Sequence, residues 1–231
     1  MPAAPQTIEQ QAVAIPVRDV LVAGSLSLPN RPRGIVVFAH GSGSGRFSPR
    51  NRAVAQVLLD GGFATLLIDL LTPAEEQEDL RTGRLRFDMP LLAERVIAAI
   101  DWLSEAAADQ FPAAARDVPV GCFGASTGAA AALIAAANRA SLVEAVVSRG
   151  GRPDLAADVL PRVAAPTLLI VGGNDPVVIE LNRRARALLA GESRLEIVPG
   201  AGHLFEEPGA LEHVAALTRA WFSKHLGSRA S

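Results

Sequence analysis

Three residues that together can turn a hydroxyl into a nucleophile stand in glycine-rich settings: Ser126, Asp175 and His203. A serine hydroxyl attacks poorly at neutral pH unless a base takes its proton, and the base needs an acceptor to hold its tautomer. Ser126 lies in Gly124-Ala125-Ser126-Thr127-Gly128, a G-x-S-x-G pattern. An apolar run, Pro119 to Phe123, leads into it and an alanine-rich segment leads out. That is the strand–turn–helix setting of a nucleophile elbow, where small residues two before and two after the serine let the backbone turn sharply. The bland alternative makes Ser126 a helix cap in a glycine-rich turn. Cys122, four residues earlier, reads as core.

His203 sits in Pro199-Gly200-Ala201-Gly202-His203, a loop free to turn an imidazole toward the strand ends. Asp175, in Gly172-Gly173-Asn174-Asp175-Pro176, is the expected acceptor for that imidazole. Its competing reading is an Asp-Pro turn that starts a helix, and Asp154 is the alternative acid. His213 and His225 fall on a terminal helix, where a solvated or packed ring is the simpler assignment. The run Ala39-His40-Gly41-Ser42-Gly43-Ser44-Gly45 lacks the G-K-[ST] of a phosphate loop, and its evenly alternating glycines do not make G-x-G-x-x-G. It reads instead as an oxyanion loop in which the backbone N–H of Ser42 pairs with that of Thr127. One such donor contributes about 3 kcal/mol in a transition state. His40 is expected to brace this loop through its ring N–H.

These groups need a scaffold that brings them to one edge. Apolar, β-branched runs alternate with helical patterns. Val13 to Leu28 reads as a hairpin broken near Arg18-Asp19. Strands are expected at 34–39, 63–69, 118–123, 143–148, 167–171 and 195–198. Helices are expected at about 49–60, 90–108, from Ser126, 178–189 and 210–225. The alternation implies an α/β fold: a mostly parallel sheet of about eight strands with helices on both faces, in one domain over 1–231. Ligands of such sheets bind at the carboxyl ends of the strands, where every polar cluster above falls.

The 231 residues suffice for one large core, and 49% hydrophobic with 20% charged residues is an ordinary globular balance. A net charge of −2 gives no electrostatic case for nucleic acid or an anionic membrane. One cysteine excludes an internal disulfide framework and suits a reducing compartment. The N-terminus lacks the basic and apolar regions of a secretory signal, and no long uncharged apolar stretch occurs, so a cytoplasmic location is expected. No metal-ligand spacing is present, and no cofactor is expected. The oligomeric state stays open, a homodimer included.

His40-Gly41-Ser42, Gly124-Ala125-Ser126-Thr127-Gly128, Gly173-Asn174-Asp175 and Gly200-Ala201-Gly202-His203 occur in the order Ser…Asp…His of the α/β-hydrolase superfamily. The chain resembles that superfamily from Gly34 to Phe222. Its size and the loop Gly41 to Gly45 look like the dienelactone-hydrolase-like branch. Dienelactone hydrolases proper use a cysteine at the elbow; Ser126 here favours ordinary ester chemistry. The resemblance implies hydrolysis of a small-molecule carboxylic ester through an acyl-enzyme. Thioester hydrolysis and acyl transfer by the same groups remain alternatives, as does a non-catalytic ligand-binding relative. The interval Arg149 to Pro166 has room for about one helix, so no large cap is expected. The pocket should then be shallow and open, which disfavours long-chain lipids. Arg149 and Arg152 at one strand end, with Arg81, Arg84 and Arg86 in a long loop between Leu70 and Pro90, could bind an anionic substrate. The competing reading pairs them with nearby acids or leaves them solvated.

Overall fold

The strands differ in how much of each is buried, and this follows from what covers them. In the computed structural model, which describes residues 8–105 and 118–227, β3 (Ile35–Ala39), β4 (Ala64–Ile68), β5 (Val120–Ala125) and β7 (Thr167–Gly172) are buried at every position. Strands covered on both faces read as continuous apolar runs. β1 (Ile8–Val17), β2 (Val20–Pro29) and β8 (Ser193–Val198) mix buried and accessible residues. β1 and β2 form a hairpin turning at Arg18, whose φ is 52°. With β6 (Val143–Arg149) the strands make one eight-stranded sheet in the order β1-β2-β4-β3-β5-β6-β7-β8. Pairing is antiparallel from β1 to β4 and parallel from β4 to β8. The sheet is mostly parallel, as its alternating pattern implies.

Helices cover both faces. On one side lie α3 (Met89–Glu105) and α4 (Thr127–Asn138), which bury Leu92, Val96, Ile100 and the run Ala129 to Ala132. The alanines let α4 approach the sheet closely: a Cβ on Gly124 would lie 2.3 Å from the Ala129 Cα. On the other side α1 (Pro49–Asp60) and α6 (Ala210–His225) pack Val54, Leu58, Val214, Trp221 and Phe222 over Phe38, Phe63 and Phe123. The Phe38 and Phe123 rings stand 4.8 Å apart across β3 and β5. Such a pair adds about 1 kcal/mol beyond its area burial. Among the described residues, no helix is long and apolar enough to cross a membrane.

Two expectations are adjusted. The segment between Leu70 and Pro90 is not a long loop: it holds α2 (Pro73–Thr82) and a short 3-10 turn, Leu85–Phe87. Thr72 and Glu75 close a capping box around the α2 N-terminus, and Gly83, at φ 65°, ends the helix in the left-handed conformation. The helix after β7, α5 (Pro176–Leu188), begins two residues early because the Asp175 carboxylate accepts from the Val178 N–H and caps it. The expected tail of α3, residues 106–108, lies outside the described residues. The interval between β6 and β7 holds a 3-10 helix, Pro153–Arg162, and no cap domain.

Candidate active site

Ser126 follows β5 with φ 50° and ψ −121°, a conformation costing a non-glycine residue about 1–3 kcal/mol. Its neighbours hold it there. The Ser126 N–H donates to the Arg149 carbonyl at 3.2 Å, and the Ser126 carbonyl accepts from the N–H groups of Arg152 and Ala129, both at 3.1 Å. Gly128 is obligatory for this turn: a Cβ there would lie 2.3 Å from the His40 carbonyl oxygen. Gly41 lies against the serine itself, with its Cβ position 3.1 Å from the Ser126 Cβ.

The His203 loop crosses the ends of β6 and β7. A Cβ on Gly172 would meet the Ala201 and Gly202 carbonyl oxygens at 2.4 Å, so the loop can lie this close only over a glycine. The Asn174 N–H and side-chain amide donate to the Ala201 and Gly200 carbonyls at 2.9 and 2.8 Å, tying the Asp175 turn to the histidine loop. Within this frame His203 Nδ1 lies 2.7 Å from Asp175 Oδ2. A carboxylate there accepts from Nδ1–H, which leaves the Nε2 lone pair as the basic site. The imidazole Cε1 lies 3.6 Å from the Cβ position of Gly150, at the β6 end beside Ser126. Asp154, the alternative acid, is taken by Arg152, which donates to it through two nitrogens at 2.9 and 2.7 Å.

The loop after β3 is pinned at both ends. His40 is buried; its Nδ1–H donates to the Gly41 carbonyl at 2.8 Å, and its Nε2 accepts from the Leu70 N–H at 2.9 Å. Burial holds its pKa below the ordinary 6.5, against the opposing pull of the Gly41 carbonyl and of Asp69 and Glu76. It is therefore a neutral brace. Arg46 pairs with Asp69 through its side chain, and its backbone N–H donates to the same carboxylate at 2.7 Å. The loop so fixed brings Ser42 to Thr127, whose hydroxyl oxygens lie 3.0 Å apart. Thr127 is the first residue of α4, where a backbone N–H has no intrahelical acceptor and is free to receive an oxyanion. Beside Gly41, Ser42 and Thr127 lies a cavity of about 540 Å³, whose lining combines Phe47, Leu70, Leu71, Leu80 and Leu92 with the charged Arg46, Asp69, Glu76, Asp79 and Arg86. α2 supplies Pro73, Glu76, Asp79 and Leu80 to this lining.

The same fold is found in known proteins. The Dienelactone hydrolase family model matches residues 21–225. The chain belongs to the dienelactone hydrolase family. A crystal structure of dienelactone hydrolase from Anabaena variabilis is 55% identical, covers 95% of this chain and 99% of its own, and superposes with a TM-score of 0.89. Est1E from Butyrivibrio proteoclasticus shares the fold at 15% identity and a TM-score of 0.74, over 92% of this chain and 98% of its own. Proteins of two Mycobacterium tuberculosis strains, each named "Putative phosphoribosyl transferase", are 57% identical over 224 residues, 97% of this chain and 48% of theirs. The chain thus spans about half the length of these curated relatives.

In this family frame the arginines separate. Arg152 is committed to Asp154, Arg86 donates to Asp79 at 2.7 Å, and Arg81 pairs with Glu78. Arg149 is buried, and burial together with nearby Arg50 pushes its guanidinium down to about 10. Cys122 is fully buried and burial pushes its thiol up to about 12, so no thiolate competes with Ser126. Sequence reasoning missed the Ser42–Thr127 hydroxyl contact, which joins residues 85 positions apart, and the cavity wall from α2.

Proposed function

We propose that the chain hydrolyses carboxylic esters of small, short-acyl substrates with Ser126 as nucleophile, His203 as base and Asp175 as the acid that orients it. The observation that carries this reading is the 2.7 Å contact between His203 Nδ1 and Asp175 Oδ2, made at the strand ends beside the strained Ser126 turn. Ser126 Oγ attacks the ester carbonyl carbon while its proton passes to His203 Nε2. The tetrahedral oxyanion accepts from the N–H groups of Ser42 and Thr127. Its collapse expels the alcohol, which takes the proton from Nε2 and leaves an acyl-serine. Water, deprotonated by the same nitrogen, then attacks the acyl carbon, and Ser126 regains its proton as the carboxylic acid departs. The cavity beside the oxyanion loop, about 540 Å³ with Phe47, Leu70, Leu71, Leu80 and Leu92 in its walls beside charged residues, is the space for the acyl group.

The transferase name of the mycobacterial relatives fits this proposal if it describes the half of those proteins that the chain does not match. Residues 21–225 of this chain match a hydrolase family. The test is a panel of p-nitrophenyl esters from acetyl to palmitoyl, with acyl thioesters alongside. The reading predicts highest kcat/KM for the short esters and loss of turnover in Ser126→Ala. Preference for palmitoyl, or near-normal turnover by Ser126→Ala, would reject it.

A further inference from the structure

Arg149 is the last residue of β6 and stands opposite Ala125, the residue before the nucleophile. Alternation along β6 turns Ala145 and Val147 toward the face covered by α1 and α6, and Arg149 follows them. The side chain is therefore directed beneath the Ser126 turn, toward the start of α1. Arg149 is only 7% exposed, and its Nη1 has no hydrogen-bond partner among the described residues. Arg50, in the first turn of α1, gives Nη1 to Glu206 at 3.0 Å, while its own Nε is buried and unpartnered. Burial first, and then the nearness of the Arg50 charge, brings Arg149 to about 10. Even so, the guanidinium stays charged at neutral pH and cannot relieve its burial by losing a proton.

A buried cation next to another cation, with donors unfilled, calls for an anion. Water could fill the donors but supplies no countercharge. A guanidinium fork suits two oxygens held in one plane or on one tetrahedron, and the amino end of α1 adds the favourable end of a helix dipole. Glu206 already shows a carboxylate seated on Arg50, and at 66% side-chain exposure it is free to be displaced. We propose that Arg149 and Arg50 form a binding site for a carboxylate or phosphate group behind the nucleophile turn. Arg152, its donors filled by Asp154, takes no part.

Thermal unfolding tests the site without reference to catalysis. Inorganic phosphate and succinate are titrated against the whole protein at constant ionic strength, with chloride as the balancing salt. Wild type should show a saturable rise in Tm, about 5–11 °C at a hundredfold excess over Kd. Arg149→Met should lose the response, or need at least tenfold more anion, while its Tm in chloride alone equals or exceeds that of wild type. Arg149→Lys keeps a charge without the fork and should respond more weakly than wild type; it carries the test if the Met variant does not fold. No response in wild type, or an equal response in both variants, would overturn the proposal.

A kinetic arm, which rests on the esterase reading, identifies the source of the anion. If the substrate bears it, Arg149→Met should lower kcat/KM for p-nitrophenyl hemisuccinate about tenfold more than for p-nitrophenyl acetate. If a free ion occupies the site, phosphate should alter acetate ester hydrolysis in wild type and not in Arg149→Met. Failure of esterase activity with an intact thermal response would reject the catalytic reading and leave the anion site standing.

Discussion

Replacing Asp175 by Asn isolates what one carboxylate contributes. Asn is as good a helix cap as Asp, so with its side-chain oxygen toward the Val178 N–H the acceptor is kept and α5 should begin as before. What changes is the partner of His203 Nδ1, now 2.7 Å from a charged oxygen. If the new amide turns its NH₂ group toward Nδ1, the ring must carry its proton on Nε2, and Nε2 can no longer accept from Ser126. If it turns its oxygen there, the tautomer survives, but the NH₂ group then faces the Val178 N–H and the cap is lost, and a neutral acceptor stabilises the developing imidazolium far less. The loss for such a change at a serine–histidine–aspartate centre is about 10⁴-fold in kcat, or about 5 kcal/mol. Stability should move by less than about 1 kcal/mol, a Tm change within about 4 °C. The assay is p-nitrophenyl acetate turnover beside a thermal melt, with Asp154→Asn as control. The control should keep activity within about threefold, because Asp154 pairs with the partly exposed Arg152. Asp175→Asn with more than a tenth of wild-type turnover, or Asp154→Asn as the more damaging change, would refute the reasoning.

Other perturbations probe the parts that hold this geometry. Gly128→Ala puts a Cβ 2.3 Å from the His40 carbonyl oxygen and 2.4 Å from that of Ala39, so backbone must move; a loss of about 3 kcal/mol should lower Tm by about 6–12 °C, and an unchanged melt would contradict the close packing described. His40 is held neutral with its pKa below 6.5, so the unfolded chain binds the extra proton as pH falls below 6.5 and stability drops, by up to about 1.4 kcal/mol per pH unit. The stability advantage of wild type over His40→Gln, read by urea unfolding, should therefore shrink between pH 7 and pH 5; a constant gap would contradict a buried neutral brace. Arg152→Ala should change kcat/KM for charged and neutral esters alike and by less than about threefold, since its donors are filled by Asp154.

The parallel strands were legible because they are buried on both faces and so appear as unbroken apolar runs, and the Ser126 turn because its flanking glycines answer to specific close approaches. α2 was harder to read. It is a surface helix of Glu, Gln, Asp and Arg with almost no apolar stripe, and only its ends declare it: Thr72-Pro73 with Glu75 at the start, Gly83 at the stop. Missing it left out the part of the cavity lining that Pro73, Glu76, Asp79 and Leu80 supply. The arginines could not be sorted by sequence either. Arg149 and Arg152 are three residues apart, yet one follows strand alternation into the α1–α6 face while the other has left the strand and folds onto Asp154. The Ser42–Thr127 contact depends on two loops meeting across β3 and β5, which sequence separation conceals.

The central claim, an activated Ser126, is tested most directly by labelling with a fluorophosphonate and locating the adduct by peptide mass spectrometry. An unactivated serine does not react, so the measurement needs no knowledge of the natural substrate. The account predicts one phosphonyl group per chain, on Ser126, absent in Ser126→Ala and strongly slowed in His203→Ala. An unlabelled wild type, or an adduct on any other residue, would contradict it.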